Sequence, residues 1–410
     1  MGLPSCMPST DPTTATLLSG IPTVNKALFR RIRFSAGDPM SLIDLPGGES
    51  LLIIRDVEAE RARRTCPVDR VAVYEDFPIE GGAKGGGGED GGGLSGDREI
   101  RVAQATAEAI VRSGATTVRA DRSLPLLVAD ELTRRGLEVV CDRDLGVLDR
   151  RMKTPEEVEA LRAAQAITER AIETACRTIA QCGVLANGEL EDPDHPGEAL
   201  TSERVMKLLD ALLDAHNCVS PMHIVACGPQ GADCHQRGSG PLRTGEPIIV
   251  DVFPTHRASG YHGDCTRVVV HGEIPEEVSA MHAVVAEAKA AAIAACKPGA
   301  TGEDVHRATL GVLRAHGYDR HHPPSGAYDA TEPTGWCGMT HGTGHGIGLE
   351  VHEPPLLDDK GPELVVGDAL TVEPGLYAPG LGGIRLEDMV VVTASGCENL
   401  NSLHEGLSWA

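Results

Sequence analysis

The sequence predicts an α/β domain followed by an α+β domain. The chain has 410 residues, more than one hydrophobic core usually serves, so two domains are expected. Between Ser50 and Arg150, short strand-like apolar runs alternate with helical ones, a pattern typical of α/β domains. Beyond Arg150 the predicted helices and strands are more segregated, as in α+β domains. We therefore place the two domains at residues 1–150 and 151–410.

The elements of the first domain follow from its apolar periodicity. The predicted strands are Leu51–Ile54, Val71–Tyr74, Thr116–Arg119 and Leu137–Cys141, and the predicted helices are Asp97–Ser113 and Leu124–Arg135. Residues 81–96 contain ten glycines in sixteen positions, and such a segment cannot offset the entropy lost on ordering. We interpret it as a flexible Gly-rich insertion. No GK[ST] follows it, which argues against a phosphate-binding loop.

A long helix is predicted to open the second domain. Thr154 supplies an N-cap hydroxyl, Pro155 suits the first helical position, and Glu157 completes a capping box. Further helices are predicted at Ser202–Ala215, Pro275–Cys296 and Gly302–His316, and strands at Met222–Cys227, Pro247–Phe253, Thr266–His271, Ala369–Val372 and Arg385–Thr393.

Composition restricts the class of partner. The formal net charge is -23, and no block of lysine or arginine interrupts the acidic excess, so nucleic acid is not expected as a partner. The twelve cysteines include no C-x-x-C pair, which favours free thiols in a reducing compartment. No secretory or membrane-spanning pattern is apparent. We expect a cytoplasmic protein without a membrane partner.

Two aspartates lie beside predicted strands. Asp251 ends the apolar run Pro247–Val250, and Asp264 precedes the run Thr266–Val270. A hairpin through Ser259-Gly260 would bring the two carboxylates close enough to share a cation. Either aspartate alone is better explained as a turn-capping residue.

The segment HGTGHGIGLEVHE, residues 341–353, is more informative. Glycine occupies every second position from 342 to 348, so an extended chain would project His341 and His345 from the face opposite the glycines. Each glycine weakens a strand, and close approach of a neighbouring backbone or ligand would justify them. Alternating glycines also exclude a helical H-x-x-x-H zinc site. A lone histidine is usually structural, but His352 makes three within twelve residues.

Two glutamates complete the candidate cluster. Glu373 leaves a predicted strand before Pro374, and Glu387 lies within the last strand, with Arg385 on the same face. Arg385 could orient a carboxylate or form an ordinary salt bridge. One imidazole with four carboxylates favours manganese, with cobalt, iron or zinc as alternatives. Two ions about 3.5–4 Å apart would balance the carboxylates, which would otherwise repel one another.

At these residues the chain resembles the M24 metallopeptidases, the pita-bread family that includes methionine aminopeptidases, aminopeptidase P and prolidase. The resemblance covers roughly residues 151–400 and matches all five family ligand positions in order, namely Asp251, Asp264, His345, Glu373 and Glu387. Residues 1–150 resemble the creatinase-type N-terminal domain of Xaa-Pro peptidases. The resemblance implies an α+β pita-bread catalytic domain preceded by an α/β creatinase-type domain, and a homodimer acting on peptides.

The same resemblance implies the roles of the site residues. Asp264 and Glu387 would bridge two divalent ions, Asp251 would bind one of them, and His345 the other with Glu373. A metal-bridging hydroxide would attack the scissile carbonyl, and Glu373 would pass a proton to the leaving nitrogen. Substrate positioning and oxyanion stabilisation would fall to His235, His341 and His352.

Departures from the family pattern bear on the substrate. The loop from Asp251 to Asp264 is two residues longer than usual. Lys360 is the only basic residue between His352 and Glu373, whereas prolidases often place an arginine there to hold a dipeptide carboxylate. The lack of an arginine there favours aminopeptidase action on longer peptides over a prolidase, and the creatinase-type N-terminal domain favours peptides with proline at the second position. A general aminopeptidase remains an alternative, and a non-catalytic pita-bread binding protein or a metal-free creatinase-like enzyme is disfavoured because all five ligands are present.

Overall fold

The computed structural model describes residues 11–79, 93–320 and 334–409. It divides into two compact units, Met1–Arg150 and Arg151–Ala410. Residues 80–92, most of the predicted insertion 81–96, lie outside the described residues.

The first unit contains a six-stranded sheet with helices. Its strands are β1 (Thr14–Gly20), β2 (Met40–Asp44), β3 (Ser50–Ile54), β4 (Arg70–Val73), β5 (Thr117–Asp121) and β6 (Glu138–Asp142), and its helices are α1 (Lys26–Ile32), α2 (Asp56–Thr65), α3 (Arg98–Arg112), α4 (Leu126–Arg134) and α5 (Val147–Arg151), which reaches the division. The strand order is β4-β3-β2-β1-β5-β6, with antiparallel pairing in β3-β2-β1 and parallel pairing outside it. The predicted α/β character is confirmed, but β1 and β2 are additional strands.

The second unit is larger and richer in strands. Its helices are α6 (Pro155–Gln181), α7 (Ser202–Asp214), α8 (Glu276–Ala295) and α9 (Gly302–Ala315), and its strands are β7 (Cys218–Val219), β8 (His223–Cys227), β9 (Pro247–Val252), β10 (Thr255–His256), β11 (Cys265–Val270), β12 (Gly344–Gly346), β13 (Glu353–Leu357), β14 (Ala369–Val372), β15 (Gly375–Ala378), β16 (Gly382–Arg385), β17 (Asp388–Thr393) and β18 (Gly396–Asn399). All four predicted helices are confirmed to within a few residues.

The predicted metal ligands lie in or next to strands of two sheets. One has the order β11-β9-β8, and the other has the order β13-β12-β14-β17-β18. Strands β9 and β11 are antiparallel, with Asp251 opposite Thr266, so the predicted hairpin is confirmed. The loop between them adds β10, which pairs with β7.

The predicted strand Arg385–Thr393 is wrong as a single element. It is divided into β16, which pairs with β15, and β17, which pairs with β14. At the break, the amide of Glu387 donates to the Thr266 carbonyl at 3.2 Å. The chain therefore changes partner at Glu387, and this residue contacts β11 instead of continuing the ladder.

The first helix of the second unit begins as the sequence predicts. Thr154 accepts a hydrogen bond from the Glu157 amide, and the Glu157 carboxylate accepts one from the Thr154 amide. Along the buried face of α6, Gln165 bonds the backbone of Asp264 twice, at 2.7 and 2.8 Å. This helix therefore fixes the backbone of one candidate metal ligand.

Helix α8 is long and apolar enough by composition to cross a membrane. Its residues Val278, Met281, Val285 and Ala288 are instead buried in the core together with Ile249, Val268 and Leu386. The helix therefore packs as a core element beneath the strands that carry the site.

Candidate metal centre

The structure brings the predicted metal ligands together. One ligand atom from each of Asp264, His345 and Glu387 lies within 4.8 Å of the others, and all three side chains are buried. Glu373 joins this group, since its Oε1 is 3.4 Å from Nε2 of His345. Asp251 is close enough for its charge to act on Asp264 and Glu387. Residues separated by more than a hundred positions thus converge on one site.

His345 is oriented by the main chain. Its Nδ1 lies 3.1 Å from the Gly346 carbonyl, and because a carbonyl only accepts, Nδ1 carries the proton. Nε2 is therefore unprotonated, and it faces Asp264 at 3.9 Å as well as Glu373. A bare imidazole nitrogen directed at carboxylates is the arrangement that a divalent metal requires.

Asp251 provides the clearest sign that the site suits a cation. Its Oδ2 accepts from Arg385 Nη2 at 2.6 Å, as expected for an arginine that orients a ligand carboxylate. Its Oδ1 is buried and has no hydrogen-bond partner among the described residues. A buried carboxylate oxygen without a partner is costly, and a metal ion would satisfy it.

Glu387 is held by strand β11 and by a buried arginine. Thr266 Oγ1 donates to Glu387 Oε2 at 2.8 Å. Arg267, which is fully buried, donates to the Glu387 carbonyl at 2.6 Å and to Asp388 Oδ1 at 2.8 Å. The second oxygen of Asp388 accepts from Lys289. The backbone around Glu387 is therefore fixed by paired buried charges.

The surroundings of the clustered carboxyl groups disfavour their ionised forms. Burial and the neighbouring carboxylates raise the pKa of Asp264 and of Glu387 well above their ordinary values. Burial raises the pKa of Glu373 to about 7, with Arg385 acting against the shift. Burial lowers the pKa of His345 to about 3. The donor set of four carboxylates and one neutral imidazole therefore fits divalent metal.

His341 is engaged on both ring nitrogens. Nδ1 lies 2.7 Å from the Gly342 carbonyl, and Nε2 lies 2.6 Å from the Tyr377 hydroxyl. Because Tyr377 accepts a hydrogen bond from Arg385 at 3.1 Å, its own proton is available for His341 Nε2. This series of hydrogen bonds links His341 to Arg385 and, through Arg385, to Asp251. In this arrangement neither nitrogen of His341 is available to a substrate.

The other two predicted histidines lie at the edge of the site. The ring of His352 packs edge-on against His345, with centroids 4.3 Å apart. His235 is exposed, and its charge acts on both His341 and His352. His235 and His352 are therefore placed where a substrate could reach them, and their roles remain predictions.

Some residues at the site were not identified from the sequence. Tyr377, Thr266 and Gln165 contact the metal ligands or the arginine beside them. None belongs to a motif with a mechanism of its own. Thr266 and Glu387 are far apart in the chain, and only the pairing of β11 with the segment before β17 brings them together.

The alternating glycines allow close packing of strands, as predicted. A Cβ on Gly344 would lie 2.0 Å from the Thr371 carbonyl oxygen, and one on Gly346 would lie 2.4 Å from the Pro354 carbonyl oxygen. The regular strand is shorter than the predicted extended segment, since only Gly344–Gly346 is in β12.

Replacement of Gly344 by Ala is expected to destabilise the protein by about 1–3 kcal/mol, because the added methyl group would force β12 away from β14. It is also expected to weaken metal binding, since His345 is adjacent. Urea unfolding and metal titration would measure both effects. Gly311→Ala is the control, because that glycine lies inside α9 with nothing within 4 Å, and it should be stabilising by roughly 0.5–1 kcal/mol. Wild-type stability and metal affinity in Gly344→Ala would contradict this account.

Comparison with known proteins gives consistent matches. The family model described as Metallopeptidase family M24 matches residues 159–394, more than half of the chain. "Probable dipeptidase PepE" of Mycobacterium tuberculosis is 38% identical over 181 residues, which is 44% of this chain and 44% of that protein. The chain thus matches less than half the length of that relative.

Solved structures extend the likeness over both units. The Xaa-Pro dipeptidase from Bacillus anthracis has a TM-score of 0.75 at 22% identity, covering 96% of this chain and 94% of the other. The X-Pro aminopeptidase from Thermotoga maritima has a TM-score of 0.73 at 23% identity, covering 96% and 97%. The predicted fold, a pita-bread domain preceded by a smaller N-terminal domain, is confirmed.

Proposed function

Because the chain belongs to metallopeptidase family M24, we propose that it is a metal-dependent aminopeptidase that removes the residue preceding a proline at the second position of a peptide. The observation that carries the proposal is the convergence of Asp264, His345 and Glu387, with Glu373 beside them and one oxygen of Asp251 unsatisfied among the described residues. We propose two divalent ions at this centre, with manganese as the first to be tested.

Bound divalent ions would polarise the scissile carbonyl and lower the pKa of water at the site. The protein contributes the proton transfer. Glu373, whose Oε1 lies 3.4 Å from Nε2 of His345, is placed beside the centre, where it can accept a proton and deliver it to the departing nitrogen. Thr371 Oγ1 lies 3.4 Å from Glu373 Oε1 and limits the orientation of this carboxylate.

The remaining side chains would position the peptide. His235 and His352 lie at the accessible edge of the centre and can donate hydrogen bonds to the substrate carbonyl. Arg385 and Tyr377 keep Asp251 and His341 in place. Their buried bonds exclude competing orientations before the substrate arrives.

The rim of the site favours peptides longer than two residues. Leu356 lies opposite His345 in the β12–β13 ladder, so both side chains leave the same face. The following residue, Leu357, is fully buried, whereas Leu356 is 57% exposed. Arg385 and Arg320, two described arginines near the centre, are paired with Asp251 and Asp358. An apolar rim of this kind would contact a longer chain more readily than a free carboxylate.

A second candidate is an Xaa-Pro dipeptidase, which would act on Xaa-Pro alone. It is supported by the names of similar proteins, which include dipeptidase PepE and Xaa-Pro dipeptidase. Both candidates share the metal centre and differ in whether the product side must end in a carboxylate.

The substrate preference is testable with manganese-loaded protein and three peptides. We expect kcat/KM for Gly-Pro-Leu to exceed that for Gly-Pro and for Ala-Ala-Leu by at least about tenfold, which corresponds to about 1.4 kcal/mol of transition-state discrimination. Equal values for Gly-Pro-Leu and Ala-Ala-Leu would favour a general aminopeptidase. A higher value for Gly-Pro would favour the dipeptidase.

A variant can connect this preference to the rim. Leu356→Arg should raise kcat/KM for Gly-Pro up to about fivefold, because an exposed ion pair contributes up to about 1 kcal/mol. Val366→Arg adds the same charge at another exposed apolar position. It should leave the ratio of kcat/KM for Gly-Pro to kcat/KM for Gly-Pro-Leu unchanged.

A further inference from the structure

We propose that His306, Arg320 and Asp358 form a positioning network for the proposed reaction, acting through Thr343 on Glu373 and His345. The inference rests on the proposed function, because it assigns Glu373 and His345 their chemical roles. None of these three residues belongs to the metal centre.

His306 is a buried histidine on helix α9. Its Nδ1 lies 2.9 Å from Thr343 Oγ1, and its Nε2 lies 3.2 Å from Arg320 Nη1. Because a guanidinium can only donate, Nε2 must accept, and the ring proton is on Nδ1. His306 therefore donates to the Thr343 hydroxyl in one fixed tautomer.

Arg320 is fixed in turn by Asp358. Both terminal nitrogens of the guanidinium, Nη1 and Nη2, donate to the Asp358 carboxylate, with Nη2 3.1 Å from Oδ2. Oδ2 of Asp359 lies 3.6 Å from Nη1. His306, Asp358 and Asp359 alone have the spacing of a metal site. The Arg320 guanidinium already supplies the cation among them, so we interpret the cluster as an ion-pair network.

Thr343 connects this network to the metal centre. Its amide donates to the Leu357 carbonyl, and its carbonyl accepts from the Glu373 amide, both at 2.8 Å. It also lies two residues before His345 in the chain. Its side chain, amide and carbonyl are therefore committed to three different segments, and a displacement of Thr343 would move Glu373 and His345 together.

Asp358 also restricts the chain beside Thr343. A Cβ on Gly342 would lie 3.0 Å from the Asp358 carboxylate, so the residue before Thr343 packs directly on this side chain. The network thus restrains residues 342 and 343 in two ways: His306 bonds the Thr343 hydroxyl, and Asp358 packs against the backbone of Gly342. Hydrogen-bonded residues behind metal ligands typically contribute about 10- to 100-fold to metal affinity or activity.

The test compares Thr343→Val, which removes the hydroxyl at nearly constant shape, with Thr343→Ser, which retains it. We expect Thr343→Val to lower kcat on Gly-Pro-Leu about 10- to 100-fold, with a comparable loss of manganese affinity in titration calorimetry and little change in KM. Thr343→Ser should restore both. Thr309→Val is the matched control, because Thr309 is a buried threonine on α9, the helix that carries His306, and among the described residues its hydroxyl bonds only the Val305 carbonyl.

A second pair of variants tests the network from its other side. His306→Asn keeps a donor near the position of Nδ1, and His306→Leu removes it, so the first should retain more activity and manganese affinity than the second. This pair decides the question if Thr343→Val fails to fold. Unfolding midpoints are measured for every variant, so that loss of fold is separated from loss of function.

The outcomes separate this inference from the proposed function. Wild-type protein that hydrolyses none of the peptides would overturn the proposed function. Active wild-type protein, together with unchanged kcat and manganese affinity in folded Thr343→Val or in His306→Leu, would overturn the positioning network alone.

Discussion

Glu373→Gln is expected to lower kcat by roughly 10³-fold, because it removes the proposed proton-transferring group, a kind of group whose contribution is typically 10²–10⁴-fold, and also one candidate metal ligand. The substitution keeps the size of the side chain. The Glu373 backbone amide, which bonds the Thr343 carbonyl, is unaffected, so the fold should persist. Steady-state hydrolysis of Gly-Pro-Leu and far-ultraviolet circular dichroism would measure the two properties.

The control for this experiment is Glu398→Gln, which makes the same chemical change at an exposed residue of β18. It should retain wild-type kcat. Turnover near the wild-type value in Glu373→Gln, with bound metal, would remove Glu373 from the mechanism.

Metal should stabilise the protein more at pH 8 than at pH 5.5. In the metal-free protein the pKa of Glu373 is raised to about 7, so the folded state binds this proton more tightly than the unfolded state. The free energy of unfolding therefore falls as pH rises through the interval between the two pKa values, by roughly 3 kcal/mol for this group. The pKa values of Asp264 and Glu387 are raised in the same direction. A divalent cation would remove the penalty by balancing the charges.

Urea unfolding with manganese and with a chelator, at both pH values, gives the required comparison. In the folded protein His345 is neutral at both pH values, since its pKa is lowered to about 3. Its protonation therefore does not change the stabilisation by metal between pH 5.5 and pH 8. Asp264→Asn provides a control, because loss of one repelling carboxylate should make the metal-free protein more stable at pH 8. Equal stabilisation by metal at the two pH values would contradict the proposed origin of the pKa shifts.

The sequence predicted elements best where local signals were strong. The cap at Thr154, the long apolar periodicity of α6 and the apolar run of β9 all gave elements with nearly correct bounds. Strands β1 and β2 were not predicted, because β1 depends on pairing with β5, about a hundred residues away. The break at Glu387 was not predicted either, since the residues on both sides of it have a strand-like pattern, and only the pairing partners show that they belong to two sheets.

The candidate site was predictable to a similar degree. The order of Asp251, Asp264, His345, Glu373 and Glu387, together with their family resemblance, identified the residues that converge. Their distances and hydrogen-bond partners depend on contacts between distant strands. Tyr377 illustrates this limit, because its contact with His341 arises only when β15 lies beside the segment before β12.

The Nδ1–H group of His345 donates to the Gly346 carbonyl, so the acceptor of that bond belongs to the main chain. Substitutions of neighbouring side chains can alter the charge around the imidazole, but the Gly346 carbonyl remains available as the acceptor. The bond that fixes this tautomer is therefore expected to respond to substitutions that displace the main chain at Gly346, such as Gly344→Ala, more than to an exchange of a neighbouring side chain that leaves the main chain in place.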